Sequence, residues 1–151
     1  METIDYLSVI NQNAVRTGVS AADKEEAFRY IAQILYEDGT LTSVEDFIKD
    51  LNERESLGPT GIGEGVAIPH GKSRAVRRSC IAVVKLDHPV PWETADEKPV
   101  QVLILFAVNE ADKSTYFLRL MSQVARKLAQ DGVCAKLAGA HTKEELLSAL
   151  S

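Results

Sequence analysis

The feature that most constrains the fold is an uninterrupted apolar run at residues 102–108. A strand with one face in water would carry a polar residue at every second position, so this run predicts a central strand that is buried on both faces. A membrane-spanning helix needs about 20 apolar residues, and the run is much shorter. The sequence therefore predicts a sheet core and no direct insertion into a membrane.

Two other apolar segments are predicted to join this strand in a sheet. Residues 66–68 form a short segment that a proline ends, and residues 79–86 are rich in β-branched side chains. The stretch at residues 87–99 contains three prolines and does not resemble a crossover helix. We therefore expect the strands at 79–86 and 100–108 to pair antiparallel.

Segments with apolar residues at helical spacing lie before, between and after these strands. The predicted helices span residues 21–37, 43–52 and 114–130, with a short last helix that Thr142 opens. Ser20 is the predicted N-cap of the first helix. The predicted inward stripe of the third helix is Leu118, Met121, Val124, Ala125 and Leu128. This order predicts an α/β fold with a mixed central sheet sandwiched between helices on both faces, in a single domain over residues 1–151.

The charge balance limits the partners that the chain can have. With 17 basic and 22 acidic residues the net charge is -5, which argues against nucleic acid as a partner. A basic run is a local exception: it is either a solvated turn or an attraction for an anionic partner. Its residues are Lys72, Arg74, Arg77 and Arg78. The N-terminus has no basic and apolar leader, so a cytoplasmic protein is expected. Cys80 and Cys134 are predicted to be buried, and no metal site is expected.

A glycine-rich loop followed by a histidine is the strongest candidate for chemistry. Glycines alternate at positions 61, 63 and 65, a short strand follows, and Pro69 precedes His70. We expect Pro69 to end the strand and turn the chain toward the surface, leaving His70 on a rigid mount with room for an incoming group. An imidazole in this position can act as a nucleophile. Alternatively, His70 is a hydrogen-bonded turn residue without a chemical role. A dinucleotide site is rejected, because its glycines would follow a strand and open a helix.

The segment 61–71, Gly-Ile-Gly-Glu-Gly-Val-Ala-Ile-Pro-His-Gly, resembles the active-site signature of a known family. The family is the enzyme IIA domains of fructose/mannitol type (type 2) of the bacterial phosphoenolpyruvate-dependent sugar phosphotransferase system. Supporting matches cover nearly the whole chain: the Arg54–Glu55 pair, Trp92 with residues 99–100, and residues 120–125. The resemblance implies a mixed-sheet α/β sandwich that takes a phosphoryl group from the phosphocarrier HPr. It passes the group to a cysteine of enzyme IIB, expected here on a separate chain, during sugar uptake. No cofactor is implied.

The resemblance also implies a role for each matching residue. His70 is the phosphoryl-accepting nucleophile. Arg54, 16 residues earlier, matches the family's active-site arginine, and a guanidinium can bind two oxygens of a phosphoryl group at once. Glu64 stands six residues before His70, where the family often has a polar or acidic residue. It either orients the imidazole or Arg54, or it is a solvated loop carboxylate.

One position departs from the family pattern. Many members carry a second histidine five residues before the serine that corresponds to Ser122, and this chain has Phe117 there. The hydrogen bond that this histidine gives to the phosphoryl group is then missing, or it comes from Tyr116 or Ser114. Phe117 itself either lines an apolar docking rim or packs into the core.

Two other functions compete with phosphoryl transfer during sugar uptake. The nitrogen-related branch of the same family keeps the histidine but binds regulatory target proteins according to its phosphorylation state. A hydrolase with His70 as general base would need a nucleophile and an orienting carboxylate. No Gly-x-Ser-x-Gly motif is present to supply that nucleophile.

Overall fold

The computed structural model describes residues 6–94 and 96–151. Its strands are β1 (Ile10–Val19), β2 (Gly61–Gly63), β3 (Val66–Ala67), β4 (His70–Ser73), β5 (Cys80–Val90) and β6 (Val100–Asn109). They form one sheet in the spatial order β1–β5–β6–β3–β2, and β4 also pairs with β6. Residues 102–108 of β6 are all buried, so the prediction of a central strand is confirmed.

The sheet is mixed, as predicted. β5 and β6 pair antiparallel, with Ala82 opposite Leu105, which confirms the prediction made from the prolines between them. β1 runs parallel to β5, both β3 and β4 run parallel to β6, and β2 is antiparallel to β3.

Helices cover both faces of the sheet. They are α1 (Lys24–Glu37), α2 (Val44–Ser56), α3 (Ser114–Leu128), α4 (Val133–Ala138) and α5 (Lys143–Leu150). α1 and α2 pack on one face, where Phe28 and Leu51 share a core with Leu105 of β6. α3, α4 and α5 pack on the other, where Leu120 and Leu146 share a core with Ile104. Successive residues of a strand point to opposite faces, so β6 contributes to both cores.

Two helix boundaries differ from the predicted ones. α1 begins at Lys24, and its N-cap is Asp23 and not Ser20, because the Asp23 side chain accepts a hydrogen bond from the N–H of Glu26. α2 continues past residue 52 to Ser56. The extra turn contains Arg54, so the helix itself carries this side chain.

The inward stripe of α3 also differs from the predicted stripe. Phe117 is buried at 6% exposure, whereas Leu118 is 63% exposed, and Ala125 is exposed as well. Val124 and Leu128 are buried as predicted. Phe117 and Leu118 are adjacent and both apolar, so periodicity alone does not choose between them. The larger aromatic ring, which gains more from leaving water, takes the inward position.

Among the described residues, five elements have no counterpart in the sequence prediction: a short 3₁₀ helix (Tyr6–Val9), β1, β2, β4 and α4. The register of β1 against β5 is irregular at two points, so its buried residues do not alternate with polar ones. β2 and β4 consist largely of glycine and polar residues, and they owe their strand conformation to pairing with their neighbours. α4 has only six residues, too few to show helical periodicity.

The prediction that the chain turns toward the surface after Pro69 is wrong. Pro69 is buried, and its carbonyl accepts a hydrogen bond from the N–H of Phe106 at 2.9 Å. Proline lacks only the backbone N–H, so it interrupts the ladder locally and parallel pairing resumes with His70 opposite Phe106. His70 therefore begins β4 and does not lie at the end of β3.

In the part of the chain that the structure describes, no helix combines the length and the apolar character that crossing a bilayer requires.

Candidate active site

The packing of α2 on β4 places an arginine over His70. A Cβ added to Gly71 would lie only 3.2 Å from Phe47 Cε1 and Leu51 Cδ2, so the glycine permits a close approach of the helix. Arg54 follows Leu51 by three residues and lies on the same side of α2. The close approach thus brings its guanidinium to the imidazole of His70.

Arg54 and His70 are joined by a direct hydrogen bond. Arg54 Nε donates to His70 Nε2 at 2.9 Å, and Arg54 Nη1 donates to the carbonyl of Gly58 at 2.9 Å. The other ring nitrogen, Nδ1, lies 3.4 Å from the carbonyl oxygen of Ile68. A carbonyl only accepts and a guanidinium only donates, so Nδ1 carries the proton and Nε2 carries the lone pair. The unprotonated nitrogen of this neutral imidazole therefore faces a cation.

The surroundings of His70 favour the neutral ring. Burial is the largest cause that lowers its pKa below the ordinary value of 6.5, and the charge of Arg54 lowers it further. The contact with the Ile68 carbonyl and the charge of Glu55 raise the pKa, but the net direction is down. Nε2 is therefore free of a proton at neutral pH and available for nucleophilic attack.

Glu55 is a component of the site that the sequence did not assign. Its side chain is only 7% exposed, and it forms an ion pair with Lys24, with 3.0 Å between Nζ and Oε1. The hydroxyl of Thr60 donates a hydrogen bond to its other oxygen. The signal in the sequence was an acidic residue directly after Arg54, but only the packing of α1 shows that this carboxylate is buried and paired.

Lys24 extends the network to the segment before β6. Its Nζ lies 3.1 Å from Glu93 Oε2 and 4.7 Å from the centroid of the Trp92 ring. The following residue, Thr94, lies against Gly61, where an added Cβ would be 2.3 Å from Thr94 Cγ2. The segment that contains Trp92, Glu93 and Thr94 therefore packs against the glycine-rich loop at Gly61.

Glu64 lies apart from the pair of Arg54 and His70. Its backbone has a φ of 55°, in the left-handed region, and its N–H donates to Asp96 Oδ2 at 2.9 Å. Its carboxylate faces the thiol of Cys134, whose pKa is raised to about 11 by burial first and by the charge of Glu64 second. Among the described residues these contacts lead away from His70, so a catalytic role for Glu64 stays a prediction.

Phe117 packs into the core and does not line a docking rim. Its ring meets the edge of Tyr116, with 5.3 Å between the centroids, and it lies in the core beneath α3. Of the two predicted substitutes for the accessory histidine, Tyr116 is exposed. The side chain of Ser114 lies outside the described part of the structure.

The remaining candidates do not form a second chemical centre at His70. The residues of the basic run are exposed; Lys72 lies on β4, and Arg74 shares a shallow hollow with Asp46 and Asp50, which fits a solvated turn for the part of the run after β4. Cys80 and Cys134 are buried as predicted, and burial raises the pKa of the Cys80 thiol to about 11. Within residues 6–94 and 96–151, no group of His, Cys, Asp or Glu could hold a metal ion.

Comparison with known proteins relates this geometry to a family. The family model for "Phosphoenolpyruvate-dependent sugar phosphotransferase system, EIIA 2" matches residues 8–151. The chain is 35% identical over 148 residues to the 2-O-alpha-mannosyl-D-glycerate-specific EIIABC component of Escherichia coli (strain K12), covering 97% of this chain and 22% of that protein. It is 34% identical over 145 residues to the nitrogen regulatory protein of the same strain, covering 95% of this chain and 88% of that protein.

Solved structures agree with this match. Nitrogen regulatory protein IIA-Ntr from Neisseria meningitidis superposes with a TM-score of 0.86 at 27% identity, covering 96% of this chain and 98% of that one. Enzyme IIA mannitol of Escherichia coli, in complex with phosphorylated enzyme IIB mannitol, shares the fold, with a TM-score of 0.74 at 22% identity and 92% and 94% coverage. The chain therefore belongs to the type 2 enzyme IIA family of the phosphoenolpyruvate-dependent sugar phosphotransferase system and is a phosphotransferase component of that system.

Proposed function

We propose that His70 Nε2 accepts a phosphoryl group from phosphorylated HPr and passes it to a cysteine of an enzyme IIB. The observation that carries the proposal is the 2.9 Å hydrogen bond from Arg54 Nε to His70 Nε2. It marks Nε2 as the nitrogen with the lone pair and puts a cation where the negative phosphoryl oxygens arrive. The role of carrier follows from the family, and the assignment to one atom is ours.

In the first transfer, the Nε2 lone pair attacks the phosphorus of the donor's phosphohistidine. A new N–P bond forms, the donor's N–P bond breaks, and the donor ring keeps the electron pair. Arg54 must first leave Nε2, because its N–H occupies the lone pair at rest. The guanidinium then faces the phosphoryl oxygens, and its planar fork can contact two of them.

The phosphorylated ring carries a positive charge while Nδ1 keeps its proton. The Ile68 carbonyl, 3.4 Å from Nδ1, stabilises that charge, as does the buried carboxylate of Glu55. In the second transfer, a cysteine thiolate attacks phosphorus, an S–P bond forms, and the N–P bond breaks. The electron pair returns to Nε2, so His70 ends as it began. The work of the site is orientation and charge neutralisation, as expected for phosphoryl transfer.

The choice of partners is part of the proposal. Support for enzyme IIB comes from the shared fold with enzyme IIA mannitol, which was solved in complex with phosphorylated enzyme IIB mannitol. A cytoplasmic location fits such a carrier and belongs to the proposal as well. The hydrolase alternative has no support at His70, whose Nδ1 contacts a backbone carbonyl where a triad would place a carboxylate.

A regulatory function is the second candidate. A specific observation favours it: the chain covers 88% of a nitrogen regulatory protein at 34% identity. In that case phosphorylation would change the charge of a docking face and so its affinity for target proteins.

The experiment that tests the proposal follows labelled phosphate through the chain. Incubation with phosphoenolpyruvate, enzyme I and HPr should add one acid-labile, base-stable phosphoryl group, and His70→Ala should take up none. The labelled protein should then pass its label to an enzyme IIB cysteine. Label that enters His70 but reaches no enzyme IIB favours regulation, whereas label on His70→Ala would show that the site is wrong.

A further inference from the structure

A buried lysine that forms no ion pair with a described carboxylate lies far from His70. Lys85, on β5, is 8% exposed. Its ammonium donates to the carbonyl of Ala140 at 2.7 Å, and no described carboxylate lies within 4.0 Å of it. Glu55, the comparably buried carboxylate, has such a partner in Lys24. The Ala140 carbonyl accepts one of the three N–H donors of the ammonium, so the ammonium can also bind an anion from outside the chain, and a nearby anion would offset the cost of burying the charge.

Lys85 lines a cleft of about 380 Å³ at the end of the sheet. One wall is the end of β1, at Thr17 and Gly18, and the other is the link between α4 and α5, at Ala140 and His141. The hydroxyl of Thr17 donates to the His141 carbonyl at 3.2 Å and joins the two walls. The ammonium thus faces a defined space, large enough for a small metabolite.

The cleft is separate from the phosphoryl site. On β6, Lys85 lies opposite Val102 and His70 lies opposite Phe106. Four residues along the strand and two strand spacings across it place the two Cα atoms about 16 Å apart. A small ligand at Lys85 therefore does not contact the Arg54–His70 pair.

The rim of the cleft carries the opposite charge. Asp87 follows Lys85 by two residues, lines the same cleft and is exposed. Its Oδ1 lies over Gly18, 3.7 Å from the position of an added Cβ. The Cα atoms of Lys85 and Asp87 lie about 7 Å apart along the strand. A ligand with one charge of each sign can therefore contact both side chains. A simple anion would face the repulsion of Asp87.

We propose that this cleft binds a free α-amino acid, with its carboxylate on Lys85 and its ammonium toward Asp87. The ligand supplies the missing counter-charge at the buried end and a cation at the rim. This inference does not depend on phosphoryl transfer, because no residue of the cleft takes part in it.

The test compares L-alanine with propionate, which differs from it by the ammonium group. In NMR titrations of the intact protein, alanine should shift the amides of Gly18, Leu86 and His141 in a saturable way. Propionate should bind at least about tenfold more weakly, because it lacks one charge-assisted contact. Lys85→Met should weaken alanine binding by a similar factor or more, and Asp87→Asn should abolish the preference over propionate.

Lys143→Met is the matched control, because its ammonium also donates to a backbone carbonyl, that of Gln12 at 2.6 Å, but outside the cleft. This variant and His70→Ala should both bind alanine as the wild type does. The alanine titration can therefore succeed even if the proposal about phosphoryl transfer fails. The inference is overturned if alanine gives no saturable shifts in the cleft, if propionate binds equally well, or if Lys85→Met keeps its affinity. Should Lys85→Met fail to fold, the wild-type titrations and Asp87→Asn decide the question.

Discussion

Replacing Arg54 with alanine should slow phosphoryl transfer by about 30- to 900-fold. At rest the guanidinium gives one N–H to His70 Nε2 and another to the Gly58 carbonyl, both at 2.9 Å. In the transition state a charged phosphoryl oxygen replaces the neutral imidazole as acceptor, and the hydrogen bond strengthens. Solvent screens part of this gain because Arg54 is only half-buried. The remaining loss is about 2–4 kcal/mol, which gives that range of rates.

The assay is rapid-quench measurement of label transfer from phosphorylated HPr at several concentrations of the variant. Arg54→Lys is the matched control: it keeps the charge but not the planar fork, so its loss should be intermediate. Arg54→Ala should also raise the pKa of His70, because the charge of Arg54 lowers it, and an NMR titration reads this directly. A folded Arg54→Ala protein that transfers within about threefold of the wild-type rate would refute the reasoning.

Three further predictions concern Glu55, Phe117 and the protonation of His70. Glu55→Gln should lower the pKa of His70, since the Glu55 charge raises it. In urea unfolding it should also cost about 1–3 kcal/mol of stability. The control Glu93→Gln, at the exposed partner of the same lysine, should cost under about 1 kcal/mol. Phe117→His should destabilise the domain by about 3–5 kcal/mol, whereas Tyr116→His at the exposed neighbouring position should change stability by under about 0.5 kcal/mol; equal effects would contradict the core position of Phe117. Burial lowers the pKa of His70 below 6.5, so the unfolded chain binds the proton at a higher pH than the native protein does. Native stability should fall as the pH drops from 6.5 through the lowered pKa, and a His70→Asn protein that lost just as much stability would contradict this.

The elements that the sequence predicted well are those whose conformation follows from their own residues. The apolar run of β6 required burial on both faces, and the prolines before it excluded a crossover helix. β1 and β4 could not be predicted in this way, because their pairing partners, β5 and β6, determine their conformation. Leu118 was wrongly placed in the inward stripe of α3, because Phe117 and Leu118 are adjacent and both apolar, and helical periodicity alone does not choose between them.

The candidate site shows the same division. His70 and Arg54 were predicted from residue types at a family spacing, and the structure joins them in one hydrogen bond. The acidic candidate named from the sequence was Glu64, either as an orienting residue or as a solvated loop carboxylate, and its described contacts lead to Asp96 and Cys134. The buried carboxylate is Glu55, and its pairing with Lys24 depends on the packing of α1 against α2. Contacts between distant segments leave no local pattern in the sequence.

NMR of the phosphorylated protein tests most directly whether His70 Nε2 carries the phosphoryl group. With ¹⁵N-labelled histidine, the ¹⁵N–³¹P coupling identifies the ring nitrogen that is bonded to phosphorus. We expect one coupled nitrogen, Nε2 of His70, while Nδ1 keeps its proton and its contact with the Ile68 carbonyl. A phosphoryl group on Nδ1, or on any residue other than His70, would contradict it.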